Sequence, residues 1–82
     1  MPARKDDPVN REYEAKAKNL LKSELKRKGL TYRDLAERLE AIGVHENERN
    51  LNNKISRGGF TAAFLLECLE AIEVGSLRLA ND

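Results

Sequence analysis

The sequence predicts an all-α fold, a compact bundle of four to five helices, on three observations. Apolar residues return every three or four positions in four separate stretches. Both prolines lie within the first eight residues, ahead of those stretches. Glycines stand at the ends of the stretches and not inside them, where a left-handed residue terminates a helix. At 82 residues the chain has room for one small domain, and 40% hydrophobic against 35% charged residues is the balance of a globular domain with a thin core and a heavily charged surface.

Residues 1–9 (MPARKDDPV) have no apolar period and read as a flexible arm. The first helix is expected from Asn10 to Lys28, with Tyr13, Ala17, Leu20, Leu21 and Leu25 on its inner face and six basic residues from Lys16 to Lys28 around them. Gly29 ends it. Thr31 is a good N-cap for the second helix, and Asp34 three positions later approximates a capping box. Leu35, Ala36, Leu39 and Ile42 form the inner stripe of that helix, and Gly43 lets Val44 turn into the core. Leu51 and Ile55 define a short third helix docked by one narrow stripe, closed by Arg57, Gly58 and Gly59.

The segment from Ala62 to Ile72 is the most apolar and is expected to be the central helix. Leu65, Cys68 and Ile72 lie opposite Glu67, Glu70 and Glu73, with Phe64 and Leu66 on the flanks. The domain spans 10–75, and 76–82 is a short tail whose Leu77 and Leu79 suit a short strand or a turn that tucks both leucines back. AERLEAIGV at 36–44 and LECLEAIEV at 66–74 share six of nine residues, so the second and fourth helices should end alike, with Ile and then Val carrying the chain inward.

Composition removes several function classes. No apolar run approaches the roughly 18 residues of a membrane span, and the charged N-terminus is unlike a secretory signal, so a cytoplasmic protein is expected. One cysteine and one histidine offer no disulfide or metal-ligand spacing, so neither a metal nor a cofactor is expected. No nucleophile and base pair, paired carboxylates or phosphate-cradling loop stands out, which argues against an enzyme. Net charge is only +1, but residues 1–30 carry +4 and residues 31–82 carry −3. The basic face therefore lies on the first helix.

Asn47 to Asn53 reads N-E-R-N-L-N-N, four asparagines on a short helix that each disfavour by roughly 0.5–0.7 kcal/mol relative to alanine. Repeated violation of local preference points to another task for those side chains. With Leu51 and Ile55 inward, the outward arc holds Arg49, Asn50, Asn53, Ser56 and Arg57, with Lys54 at its border. Arginine and asparagine make the bidentate contacts to guanine and adenine edges in the major groove. The alternative is that the asparagines cap the helix or form an irregular loop.

Gly29-Leu30-Thr31, Leu35-Ala36, Leu39, Gly43-Val44 and the run Asn50-Leu51-Asn52-Asn53-Lys54-Ile55-Ser56-Arg57-Gly58 resemble the helix-turn-helix of the Cro/phage-repressor-like (XRE-type) superfamily over about residues 18–74. The resemblance implies a lambda-repressor-like, double-stranded-DNA-binding transcription regulator, usually a homodimer. In it the helix after Thr31 crosses the backbone and the helix containing Leu51 enters the major groove. By matching position, Arg49, Asn50 and Asn53 would read bases. Thr31, Tyr32, Arg33, Asn52, Lys54, Ser56, Arg57, Gly58 and Gly59 would contact phosphates. The chain departs from the pattern at Tyr32, where the superfamily commonly has glutamine, and in a turn from Leu39 to Leu51 that is a few residues longer. The string NERNLNNKISRGGFTAAFLLECLEAI is more similar to a small bacterial domain family of unassigned function.

A module of the same shape that binds a protein, such as a toxin or another regulator, is the alternative, favoured by the acidic C-terminal half. An apolar outward arc on the third helix would support it; the arc here is polar and cationic.

Overall fold

A computed structural model describes residues 7–79. Four helices follow one another, α1 (Pro8–Lys28), α2 (Tyr32–Ala41), α3 (Glu48–Arg57) and α4 (Ala62–Ala71). The expected all-α bundle is thus present, with four helices and no strand among the described residues. α1 begins two residues earlier than its apolar period indicates. The Asp7 side chain accepts from Val9 N at 2.8 Å as N-cap, and Pro8 takes the first helical position, where a missing N–H costs nothing. Of the arm expected over residues 1–9, residues 1–6 lie outside the described residues and 8–9 are helical.

Each later helix has its own start signal. Thr31 accepts from Asp34 N at 3.1 Å while the Asp34 carboxylate accepts from Thr31 N at 2.9 Å, a complete capping box. Asn47 caps α3 by accepting from Asn50 N at 2.8 Å, and Thr61 caps α4 by accepting from Phe64 N at 3.0 Å. Gly29 ends α1 in the left-handed conformation, with Leu30 N donating to Leu25 O and Gly29 N to Lys26 O, the paired bonds of a Schellman turn.

α1 and α2 each pack on both α3 and α4. The core is Leu21 and Leu25 from α1, Leu35 and Leu39 from α2, Leu51 and Ile55 from α3, and Phe64, Cys68, Leu69, Ala71 and Ile72 from α4 and its end. Several residues sit differently from their periodicity. Tyr13, expected on the inner face, is 61% exposed, because α1 is twice as long as its partners and its outer turns run past them. Ile42 ends α2 exposed, whereas Phe64, expected on a flank, is buried against the core. Leu65, expected inside, is half-buried, as is Glu67. In the tail Leu77 packs on the core and Leu79 is exposed, with no strand formed.

Candidate nucleic-acid interface

α3 is anchored by Leu51 and Ile55, both fully buried, and every other side chain of Glu48–Arg57 is exposed. Arg49, Asn53 and Arg57 follow at i, i+4 and i+8 and so form one row on the outer surface, with Asn50 beside it. These four side chains make no hydrogen bond or ion pair to any described residue. Their donors and acceptors face solvent, as hydrogen bonding to an external partner requires.

The four asparagines divide into separate roles. Asn47 is the N-cap, so the capping alternative holds at that position. Asn52 accepts from Ser56 Oγ at 3.2 Å one turn on, which ties two expected phosphate contacts to each other. Asn50 and Asn53 are the two whose side chains remain unengaged.

At its N-terminal end α3 meets the start of α2. Tyr32, Asn47, Glu48, Arg49 and Asn52 line one open depression there. Tyr32 is half-buried against the core, and burial pushes its hydroxyl up from its ordinary value, so it stays a hydrogen-bond donor at neutral pH. Arg33 beside it is exposed. The Thr31 oxygen accepts from Asp34 N in the cap. Glu48 is the one acidic side chain in the depression.

At the C-terminal end Lys54 does not join the outer row. Its ammonium pairs with Glu46 and lies 4.9 Å from the centre of the Phe64 ring, so it covers the core. Arg57, Gly58 and Gly59 face a groove whose other wall is α1, through Arg11, Glu14 and Lys18. Lys18 Nζ reaches Ser56 O at 3.5 Å. Sequence periodicity places Lys18 among the basic residues around the inner face of α1 and gives Arg11 and Glu14 no role; the signal that brings them here is the glycine pair. A Cβ at Gly58 would stand 3.2 Å from the Glu14 carbonyl oxygen, and one at Gly59 would stand 2.8 Å from Glu14 Oε2. Both glycines also have positive φ, at 71° and 65°. They let α1 approach the loop, a packing reason that stands apart from any phosphate contact.

Little else in the fold has reactive geometry. Burial pushes the Cys68 thiol up to about 12, with nearby Glu67 and Glu46 adding to it, so it stays protonated. His45 Nδ1 lies 3.1 Å from Glu40 Oε2 on the exposed turn after α2. No group of His, Cys, Asp and Glu among the described residues could hold a metal ion. No described helix is long and apolar enough to cross a membrane.

A family model described as a domain of unknown function, DUF6471, matches residues 13–77, from the second turn of α1 to beyond the end of α4. No curated protein and no solved structure matches the chain.

Proposed function

The chain belongs to the DUF6471 family, and on the strength of its α3 surface we propose that it is a sequence-specific, cytoplasmic DNA-binding regulator of transcription without catalytic activity. One observation carries this reading: Arg49, Asn50, Asn53 and Arg57 stand unpartnered on the outward face of a helix held by two fully buried residues. Arginine can bridge guanine O6 and N7 and asparagine adenine N6 and N7, each good pair adding about 1–3 kcal/mol of discrimination. Arg49, Asn50 and Asn53 are the proposed base readers. Thr31, Tyr32, Arg33 and Asn52 at one end, and Ser56, Arg57, Gly58 and Gly59 at the other, hold phosphates in the way the likeness to Cro/phage-repressor-like helix-turn-helix domains implies. Lys54 reaches a phosphate only by leaving Glu46. Two copies on an inverted repeat supply the affinity that one half-site lacks.

The test is selection of fragmented bacterial DNA by the purified protein near physiological salt, followed by sequencing of what is retained. Enrichment of an inverted repeat is the expected result, and Arg49→Ala and Asn53→Ala should abolish the preference while the helical circular-dichroism signal stays intact. If a folded protein enriches nothing, the weight passes to a protein partner. The observation favouring that second reading is Leu66, 66% exposed on α4 near the exposed Ala62, Ala63 and Glu70.

A further inference from the structure

The groove between α1 and the α3–α4 loop has an unusual charge arrangement. Four cationic side chains line it, Arg11 and Lys18 from α1 and Lys54 and Arg57 from α3. Lys54 is held by Glu46, while half-exposed Lys18 and exposed Arg57 stand on opposite walls. Arg11, Lys18 and Lys22 fall within about 20° of a common line along α1, so the same basic row continues past the groove. α4 opens into it with no acidic residue in its first turn, and its positive helix end adds to the field.

One carboxylate enters this cationic groove. Glu14 lies against the loop so closely that a Cβ on Gly59 would overlap Oε2, and Asn10 Nδ2 donates to the same oxygen at 3.3 Å. A carboxylate of the chain itself thus lines the same groove as the four cations.

We propose that this groove is a second contact for the DNA phosphodiester backbone, made by Lys18 and Arg57 across the α1 and α3 walls, and that Glu14 limits its strength. The proposal rests on the DNA-binding reading and extends the footprint from α3 onto α1. A phosphate entering the groove meets two cations and the end of α4, but also the Glu14 carboxylate well inside the Debye length of about 8 Å at physiological salt. The repulsion reduces the number of counterions released on binding and so lowers both affinity and its salt dependence. Such a residue keeps contacts to any duplex weak, so that discrimination rests on the bases read by α3.

The experiment uses the full chain and a random-sequence duplex of roughly 30 base pairs, titrated from about 50 to 300 mM salt. Glu14→Gln keeps the shape and removes the charge. It should bind about three- to tenfold tighter near 150 mM salt and steepen the logarithmic salt slope by about one. Lys18→Gln, an independent variant on the same wall, should weaken binding and flatten the slope by about one. Both should keep the wild-type helical signal. Unchanged affinity and slope in these variants, while Asn53→Ala still loses sequence preference, overturns the groove and leaves α3 in place. Tighter binding absent in Glu14→Gln but weaker binding present in Lys18→Gln overturns the limiting role of Glu14. If the wild-type chain binds no duplex, the DNA-binding reading fails and the groove with it.

Discussion

Lys54 shows how one side chain can be claimed by two tasks. From the sequence it borders the polar arc of α3, and its spacing alone fits a phosphate contact. Its actual partners, Glu46 and the Phe64 ring, come from the turn before α3 and from α4, and only the packed chain brings them together. The Glu46 side chain is 10% exposed, so removing its partner would strand a largely buried charge. Lys54→Ala is therefore expected to lower stability by about 1–2 kcal/mol in chemical denaturation. Arg57→Ala, unpaired and exposed, should stay within about 0.5 kcal/mol of wild type. Equal effects would place Lys54 with the solvated cations. Asp34 was the opposite case, legible because its partner is three residues away. The backbone hydrogen bond from Thr31, with the side-chain bond to Thr31 second, holds its carboxyl below the ordinary value of 3.8. The folded state thus favours the ionised form. That contribution is complete above the ordinary aspartate range and disappears as pH falls through the lowered value. In thermal melts across that acid range, Asp34→Asn should flatten the decline seen in the wild-type chain.

At the scale of the element, the repeated AERLEAIGV and LECLEAIEV segments form the same turn. Val44 N donates to Leu39 O and Val74 N to Leu69 O, each at 2.9 Å, while Gly43 N donates to Glu40 O and Glu73 N to Glu70 O. The likeness of the two helix ends was legible in the sequence, including the valines packed on the core. The isoleucines were not, since Ile72 is fully buried and Ile42 is 46% exposed. Equal spacing along two helices fixes the turn that follows each and not how far neighbouring helices cover its last apolar residue. Tyr13 failed for a similar reason: an i, i+4 stripe says which residues share a face and not how far the partner helices extend along it. The two turns also differ in one residue. Gly43 has φ 87° and Glu73, in the same place, has φ 61°, the one described non-glycine residue with positive φ. A side chain there costs about 1–2 kcal/mol, partly offset by the greater freedom glycine has when unfolded. Glu73→Gly should raise stability by about 0.5–1 kcal/mol in denaturant titrations. The backbone bond from Lys28 Nζ to Glu73 O at 3.2 Å survives this change, so a loss of stability would mean that the 4.0 Å contact with Arg38 outweighs the strain.

For the whole molecule, the division of charge was visible before the fold was known, with α1 basic and the C-terminal half acidic. The meeting of α1 with the α3–α4 loop was not, because it joins residues some 40 positions apart through two glycines that sequence alone reads as a turn. The same holds for Phe64 and Leu66 on the flanks of α4 and for Leu77 of the tail. Packing consumes Phe64 and most of Leu77, which leaves Leu66 as the exposed apolar side chain of α4. A core of about ten side chains gives a small domain little reserve, and pairing two copies through α4 would bury apolar surface that one chain leaves wet. Sedimentation at micromolar concentration is accordingly expected to show two chains per particle, and Leu66→Lys to shift it to one without loss of helical signal. The acidic residues around Leu66 would face their copies across such a seam, so association should strengthen with added salt, opposite to the salt dependence expected of the proposed DNA binding. A single wild-type chain at that concentration, at low and high salt alike, would assign all of the proposed DNA affinity to one half-site. The contacts along α1 would then have to supply what a second copy does not.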